Sequence, residues 1–223
     1  MKPRFFRDPV HMQIRFDFAD LDQAPKNDAA DLSWLAQKII ATKEFQRLRH
    51  IRQNGLANLV FHGAEHSRFS HSMGVHAVAR LMYSRICRNA SENEDAEWKL
   101  ATAIAALTHD LGHGPFSHTL EEILGKENFH HEDMTIRYLM EEHSPINKLL
   151  RQVSVDLPAR LEKFFDEKKR DEDHWAYKIV SSQLDADRLD YVQRDALFAG
   201  LRGHGFDFER LLDLLSHHEG KIA

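Results

Sequence analysis

The densest group of chemically capable residues lies at positions 108–118, where the sequence reads THDLGHGPFSH. His109 and Asp110 are adjacent at the end of a predicted apolar helix, so their side chains point about 100° apart around its axis. An imidazole and a carboxylate are both metal ligands, and a carboxylate beside an apolar helical face is costly unless something pairs with it. This pair can bind one cation only if other segments supply further ligands.

Two other segments hold candidate ligands, HSRFSH at 66–71 and LDADRLD at 184–190. With the His-Asp pair they give a mixed nitrogen and oxygen set that suits Mn, Fe, Co, Ni, Zn or Mg. The chain has one cysteine, Cys87, which excludes an internal disulfide and argues against a structural zinc site. Each of these histidines could instead cap a helix end or fill a polar pocket, and that interpretation stays open for any single one.

Composition narrows the classes of function. The 223 residues carry a net charge of -5, which argues against a protein that coats duplex DNA but allows a small anionic substrate in a local basic pocket. Arg47, Arg49 and Arg52 could form a basic stripe for nucleic acid, although a helix surface or phosphate contacts explain them equally well. We find no apolar run long enough to span a membrane and no signal-peptide pattern, so a cytoplasmic protein is expected.

Strand signals are almost absent, so the sequence predicts an all-α fold with a short strand or hairpin within residues 1–31. A helix is predicted from Trp34 to about Gln53 with a break near 41–43, and another from Ser70 or Ser72 through Ile86. Further helices are predicted at 98–111, 117–125, 132–142, 145–153, 157–167, 177–198 and 208–217. A single domain over 1–223 is expected.

The last predicted helix has an apolar face of leucines with little chain left to cover it, namely Leu211, Leu212, Leu214 and Leu215. Such a face predicts either a partner or a longer parent chain of which these residues are the N-terminal part.

The order of the candidate ligands is His71, then His109-Asp110, then Asp187. This order resembles that of the HD-domain phosphohydrolases. Longer blocks resemble the deoxynucleoside triphosphate triphosphohydrolase branch, which includes the vertebrate SAM-and-HD-domain enzyme and bacterial relatives. The blocks are EFQRLR at 44–49, SRFSHSMGV at 67–75, HDLGHGPFSH at 109–118 and DADRLDY at 185–191.

The resemblance implies a helical HD core that hydrolyses a deoxynucleoside triphosphate to deoxynucleoside and tripolyphosphate, with water attacking the α-phosphorus. It implies that His118, supported by Glu121, donates a proton to the leaving 5′-oxygen, and that a homo-oligomer forms. The metal ligands it implies are His71, His109, Asp110 and Asp187. The residues it places on the phosphates are His113, His118, His131, Arg68 and Arg188. The residues it places on the sugar are Tyr191, which packs on the ring, and Gln53 and Asp195, which bond the 3′-hydroxyl.

The chain departs from the family pattern at three positions. Ala41 stands where the family's allosteric nucleotide site uses an aspartate, so activation by that route is not expected. Met12 replaces the glycine of a DPxHG motif, and Asn54 replaces an aromatic or aliphatic residue beside the sugar. Two alternatives stay open: another HD phosphohydrolase activity (nucleotidase, phosphodiesterase or single-strand nuclease), or a non-catalytic module that binds nucleotide or nucleic acid.

Overall fold

A computed structural model describes residues 4–16, 28–116, 123, 130–170, 173–201, 206–218 and 220–222. These residues form ten α-helices and two small antiparallel sheets, so the predicted all-α class is confirmed. No helix in this described part of the chain is long and apolar enough to cross a bilayer.

The predicted N-terminal hairpin is present as β1 (Arg4–Asp8) and β2 (Met12–Phe16), which pair antiparallel. Its alternation of exposed and buried side chains places Ile14 and Phe16 in the core. Met12 has a φ of 59°, in the left-handed region that favours glycine, and its side chain is exposed. The methionine at this position therefore adopts the turn at some strain.

The predicted break near 41–43 is confirmed. α1 (Asp28–Ala41) ends there, and α2 (Lys43–Gln46) follows with a 3₁₀ turn at Arg47–His50. Thr42 separates the two helices, because its extended backbone ends the first and its hydroxyl accepts a hydrogen bond from the Phe45 amide of the second.

Two long helices form the centre, α3 (Arg68–Asn89) and α4 (Ala96–Thr108). The predicted start of α3 at Ser70 or Ser72 is wrong, since Ser67 is the N-cap and its hydroxyl accepts from the Ser70 amide. The earlier start places Arg68 and His71 in the first turn. α4 ends at Thr108, so His109 and Asp110 lie where the backbone leaves the helix.

Six shorter helices follow among the described residues: α5 (His131–Met140), α6 (Pro145–Val153), α7 (Leu157–Phe165), α8 (Trp175–Val180), α9 (Ala186–Phe198) and α10 (Phe208–Leu214). The single helix predicted over 177–198 is wrong, because the chain breaks between α8 and α9. Asp185 causes this break by capping α9, accepting from the Arg188 and Ser182 amides at 2.8 and 2.9 Å. The helix predicted at 117–125 falls largely outside the described residues.

The C-terminal leucine face is largely covered by the chain itself. α10 packs against α3, which buries Leu212 and Leu215 and leaves Leu214 71% exposed. The two predicted alternatives, a partner or a longer parent chain, therefore concern mainly the exposed Leu214, and both stay predictions.

Candidate metal centre

The four predicted metal ligands meet at one point, although they come from three separate helix ends. The first turn of α3 supplies His71, the exit of α4 supplies His109 and Asp110, and the first turn of α9 supplies Asp187. His71 Nε2 lies 2.9 Å from Asp187 Oδ1 and 3.3 Å from His109 Nε2, which is itself 3.4 Å from Asp110 Oδ1.

The hydrogen bonds on the far side of each imidazole orient both rings for metal binding. His109 Nδ1 donates to the Ala106 carbonyl at 2.8 Å, and His71 Nδ1 donates to Asp190 Oδ2 at 2.7 Å. In the neutral imidazoles this leaves the Nε2 lone pairs pointing inward, where the two nitrogens face each other and two carboxylates. His71, His109 and Asp110 each offer a ligand atom, all within 4.8 Å of one another, and Asp187 Oδ1 lies beside both imidazoles at 2.9 and 3.8 Å. Two imidazoles with two carboxylates fit a divalent metal.

The electrostatics of the cluster agree with this interpretation. Burial lowers the pKa of His71, but the hydrogen bonds to Asp187 and Asp190 outweigh it and raise the pKa to about 10. Burial raises the pKa of Asp187, but the His71 hydrogen bond and the His109 charge hold it below its usual range. The cluster thus favours a positive charge at its centre, which a proton or a divalent cation can supply.

The groups on the other side of Asp110 keep its carboxyl group ionised. Burial would raise its pKa, but the charges of His109 and Arg68 and a hydrogen bond from His113 keep it well below its usual range. Arg68 Nη1 donates to Asp110 Oδ2 at 2.6 Å, and His113 Nε2 lies 3.3 Å from Oδ1. The predicted phosphate ligand Arg68 is therefore also the partner of a metal ligand.

Two residues that the sequence did not single out for this role hold the turn after the His-Asp pair. The Arg47 guanidinium donates to the backbone carbonyls of Leu111 and His113. Thr135 Oγ1 accepts from the Gly112 amide at 2.9 Å and donates to the His109 carbonyl at 3.2 Å. Arg47 stood inside one of the quoted blocks, whereas Thr135 belongs to no motif and is found only by packing.

Gly112 lets α5 approach this turn. A Cβ at Gly112 would lie 1.9 Å from the His131 carbonyl oxygen, so any larger residue would force α5 away. The close approach stacks the His131 ring on His113, with centroids 3.8 Å apart and ring planes 16° apart. Two of the histidines predicted to line the phosphates are thus adjacent.

A cavity of about 850 Å³ opens onto the metal centre. Most of the predicted site residues line it, namely Gln53, Arg68, His109, Asp110, His113, His131, Asp187, Tyr191 and Asp195. Arg188 does not line it, since its half-exposed side chain turns away and donates to the Ser182 carbonyl at 3.2 Å. The predicted proton donor His118 and its support Glu121 lie outside the described residues.

A second polar group surrounds Asp195 at the wall of the cavity. Asn54 Nδ2 donates to Asp195 Oδ1 at 2.9 Å, and His66 Nε2 lies 3.0 Å from the same oxygen. Gln53 Oε1 is buried nearby and has no hydrogen-bond partner among the described residues. His66, which the sequence offered as a candidate ligand, therefore belongs with the predicted sugar-binding residues and not with the metal ligands.

The three arginines considered as a nucleic-acid stripe all have contacts within the chain. Arg47 donates to the backbone of the turn at Leu111 and His113. Arg49 covers the Phe69 ring at 3.6 Å, and Arg52 pairs with Glu65 at 3.0 Å. Each has its own intrachain partner, so the structure gives no support to that interpretation.

Comparison with known proteins places this geometry in a family. The HD domain family matches residues 68–222, the stretch that carries all four predicted ligands. The chain belongs to the HD domain family. The candidate ligands His71, His109 and Asp110, which could hold a metal ion, all lie within the matched stretch.

Individual relatives narrow the comparison. The uncharacterized protein YwfO of Bacillus subtilis is 39% identical over 220 residues, covering 99% of this chain and 46% of that protein. The deoxynucleoside triphosphate triphosphohydrolase SAMHD1 homolog of Dictyostelium discoideum is 37% identical over 186 residues, covering 78% of this chain and 35% of that protein. A crystal structure of a phosphohydrolase from Bacteroides thetaiotaomicron matches with a TM-score of 0.75 at 27% identity, covering 98% of this chain and 48% of that one. The chain thus spans about half the length or less of these relatives.

Proposed function

We propose that this HD domain hydrolyses deoxynucleoside triphosphates to deoxynucleoside and tripolyphosphate. The observation that carries the proposal is that one cavity joins the metal ligands to both predicted sets of substrate groups. His109, Asp110 and Asp187 lie at its base, and the predicted phosphate and sugar residues line its walls. The Dictyostelium relative, which is named for this activity, supports the same choice.

The phosphates would lie against the cationic and histidine side of the cavity. Arg68 is buried beside Asp110, so its charge faces the point where the α-phosphate would meet the metal ligands. The stacked rings of His113 and His131 line the same cavity as this guanidinium. Fixed donors of this kind stabilise the charge that spreads over phosphate oxygens in the transition state. A divalent cation, when bound, lowers the pKa of a coordinated water and polarises a phosphoryl oxygen.

The sugar would lie against the group around Asp195. Gln53 Oε1 and the Asp195 carboxylate are hydrogen-bond acceptors at the cavity wall, so they suit a ligand that carries hydroxyl donors. Tyr191 lines the same wall and offers a ring face for the sugar. Proton transfer to the leaving 5′-oxygen is assigned to His118 with Glu121, on the resemblance alone.

The test is product analysis. The protein is incubated with each of the four deoxynucleoside triphosphates and with Mn²⁺, Mg²⁺, Fe²⁺, Co²⁺ or Ni²⁺, and the products are separated by ion exchange. The proposal expects tripolyphosphate and deoxynucleoside in equal amounts. Orthophosphate or a nucleoside monophosphate would instead indicate another HD phosphohydrolase, and binding without turnover under every metal would indicate a non-catalytic module.

A further inference from the structure

The histidine ligand of α3 rests on a buried carboxylate that is itself completely bonded. Asp190 Oδ2 accepts from His71 Nδ1 at 2.7 Å and from Arg194 Nε at 2.7 Å. Asp190 Oδ1 accepts from Arg194 Nη2 at 2.8 Å and from His11 Nε2 at 2.6 Å. These four bonds occupy the four lone-pair sites of the carboxylate, so its orientation is fixed on every side.

Two of the residues that complete this arrangement come from the N-terminal hairpin. Arg194 is fully buried and reaches Asp8 as well, at 3.0 Å from Nη1 to Oδ2. Asp8 Oδ1 also accepts from the backbone amides of Val10 and His11, both at 2.9 Å, which fixes the turn that presents the His11 ring. Both Asp8 and His11 lie before residue 68, where the match to the HD domain family begins.

The central helix leaves room for this arrangement at one position. A Cβ at Gly74 would lie 1.9 Å from Asp190 Oδ1 and 2.5 Å from Arg194 Nη2. The Asp190 carboxylate and the Arg194 guanidinium therefore pack against α3 at Gly74, one turn after His71. A side chain here would displace the group that holds the ligand.

We propose that the hairpin is a working part of the metal centre, with Asp8, His11 and Arg194 as positioning residues. They fix Asp190, Asp190 fixes the ring and tautomer of His71, and the His71 Nε2 lone pair is thereby aimed at the metal. The outer partners of metal-bound histidines typically contribute 10–100-fold in metal affinity. This inference rests on the proposed metal site and is independent of which substrate is hydrolysed.

The experiment measures Mn²⁺ affinity by competition with a chelator, without nucleotide, and the unfolding midpoint of the same proteins in EDTA. Asp190→Asn and His11→Ala are compared with wild type. The matched control is Arg7→Ala, an exposed residue of the same hairpin. We expect about 10–100-fold weaker binding for Asp190→Asn and about 10-fold for His11→Ala. His11→Gln, whose amide can still donate to Asp190, should recover most of the loss, and Arg7→Ala should bind as wild type does.

A merely structural hairpin gives a different result. If His11→Ala lowers the unfolding midpoint in EDTA but leaves Mn²⁺ affinity unchanged, the inference is wrong. If Asp190→Asn does not fold, the comparison of His11→Ala with His11→Gln decides alone, since both leave the Asp190–Arg194 pair in place. A wild-type protein that binds no divalent metal would contradict both the metal site and this inference. Unexpected products in the nucleotide assay would contradict the proposed function but not this inference.

Discussion

The proton donor is the first residue to test, because its role rests on the sequence resemblance. His118 lies nine residues beyond His109, past Gly112, Gly114 and Pro115, so it can face the site from a different element. General acid catalysis contributes roughly 10²–10⁴ in rate. We therefore expect His118→Ala to lower kcat by about that factor, with KM and metal content nearly unchanged. The pH–rate profile should lose its alkaline limb. Loss of metal in the variant would make His118 a ligand instead.

His76 gives a pH prediction for the core. Burial, with the charge of Arg80, lowers the pKa of His76 to about 3, although the hydrogen bond to the Ala103 carbonyl acts the other way. Between pH 6.5 and about 3 the unfolded chain binds a proton at this residue and the folded chain does not. Folding stability at this site is therefore present above pH 6.5 and falls as the pH is lowered.

Replacement by a residue that cannot titrate should remove this dependence. His76→Gln keeps a donor for the Ala103 carbonyl, so we expect its unfolding free energy to fall less steeply below pH 6.5, by up to about 1.4 kcal/mol per pH unit. Urea unfolding of both proteins at pH 7 and pH 5 measures the difference. Equal losses in the two proteins would show that His76 is protonated in the folded state.

At the scale of the helices, α5 can pack closely against the turn after His109-Asp110 only because residue 112 is a glycine. Gly112→Ala places a methyl group against the His131 backbone, so we expect α5 to shift, the His113–His131 stack to loosen and stability to fall by about 1–3 kcal/mol. Gly114→Ala is the matched control, since a Cβ there meets no atom within 4 Å. Chemical unfolding of both variants checks the prediction. Equal stability of the two would mean that the backbone yields at no cost.

The sequence predicted elements well where local signals were complete. The break at Thr42 and the hairpin follow from short-range capping and alternation, and both are present. The helix over 177–198 failed because its apolar spacing continues through a segment that Asp185 interrupts by capping the next helix. That single cap matters for the site, since it begins α9 just before Asp187.

The residues of the candidate site also fall into those that the sequence predicted and those that it did not. The four predicted ligands lie close together, because each sits at a helix end that motif residues define; their role as ligands stays a prediction. Arg188 turns outward onto the Ser182 carbonyl, and His66 joins Asp195 from a segment far away in the chain. No spacing rule reveals either contact. The support from Asp8, His11 and Thr135 joins residues far apart in the chain and appears only with tertiary packing.

For the whole molecule, regulation is the testable property. Ala41 cannot accept hydrogen bonds from a guanine base, and the polar neighbours are already engaged: Gln46 Nε2 donates to the Ile40 carbonyl at 2.6 Å and Arg49 Nε donates to Gln46 Oε1 at 2.8 Å. We expect the rate on a fixed deoxynucleoside triphosphate to change little when GTP or dGTP is added. A steep rise with GTP would show that another residue replaces the missing aspartate. The homo-oligomer implied by the resemblance stays a prediction.

Metal content of an Asp110 variant tests the central claim most directly. Asp110 joins the two imidazoles and Arg68, so Asp110→Asn removes a ligand charge while keeping the shape of the side chain. The control is Asp156→Asn, an exposed aspartate at the start of α7. After loading with divalent metal and gel filtration, elemental analysis should find one ion per chain in wild type and control. It should find almost none in Asp110→Asn, whose hydrolysis should be lost as well. Full metal occupancy in the folded Asp110→Asn protein would contradict the account.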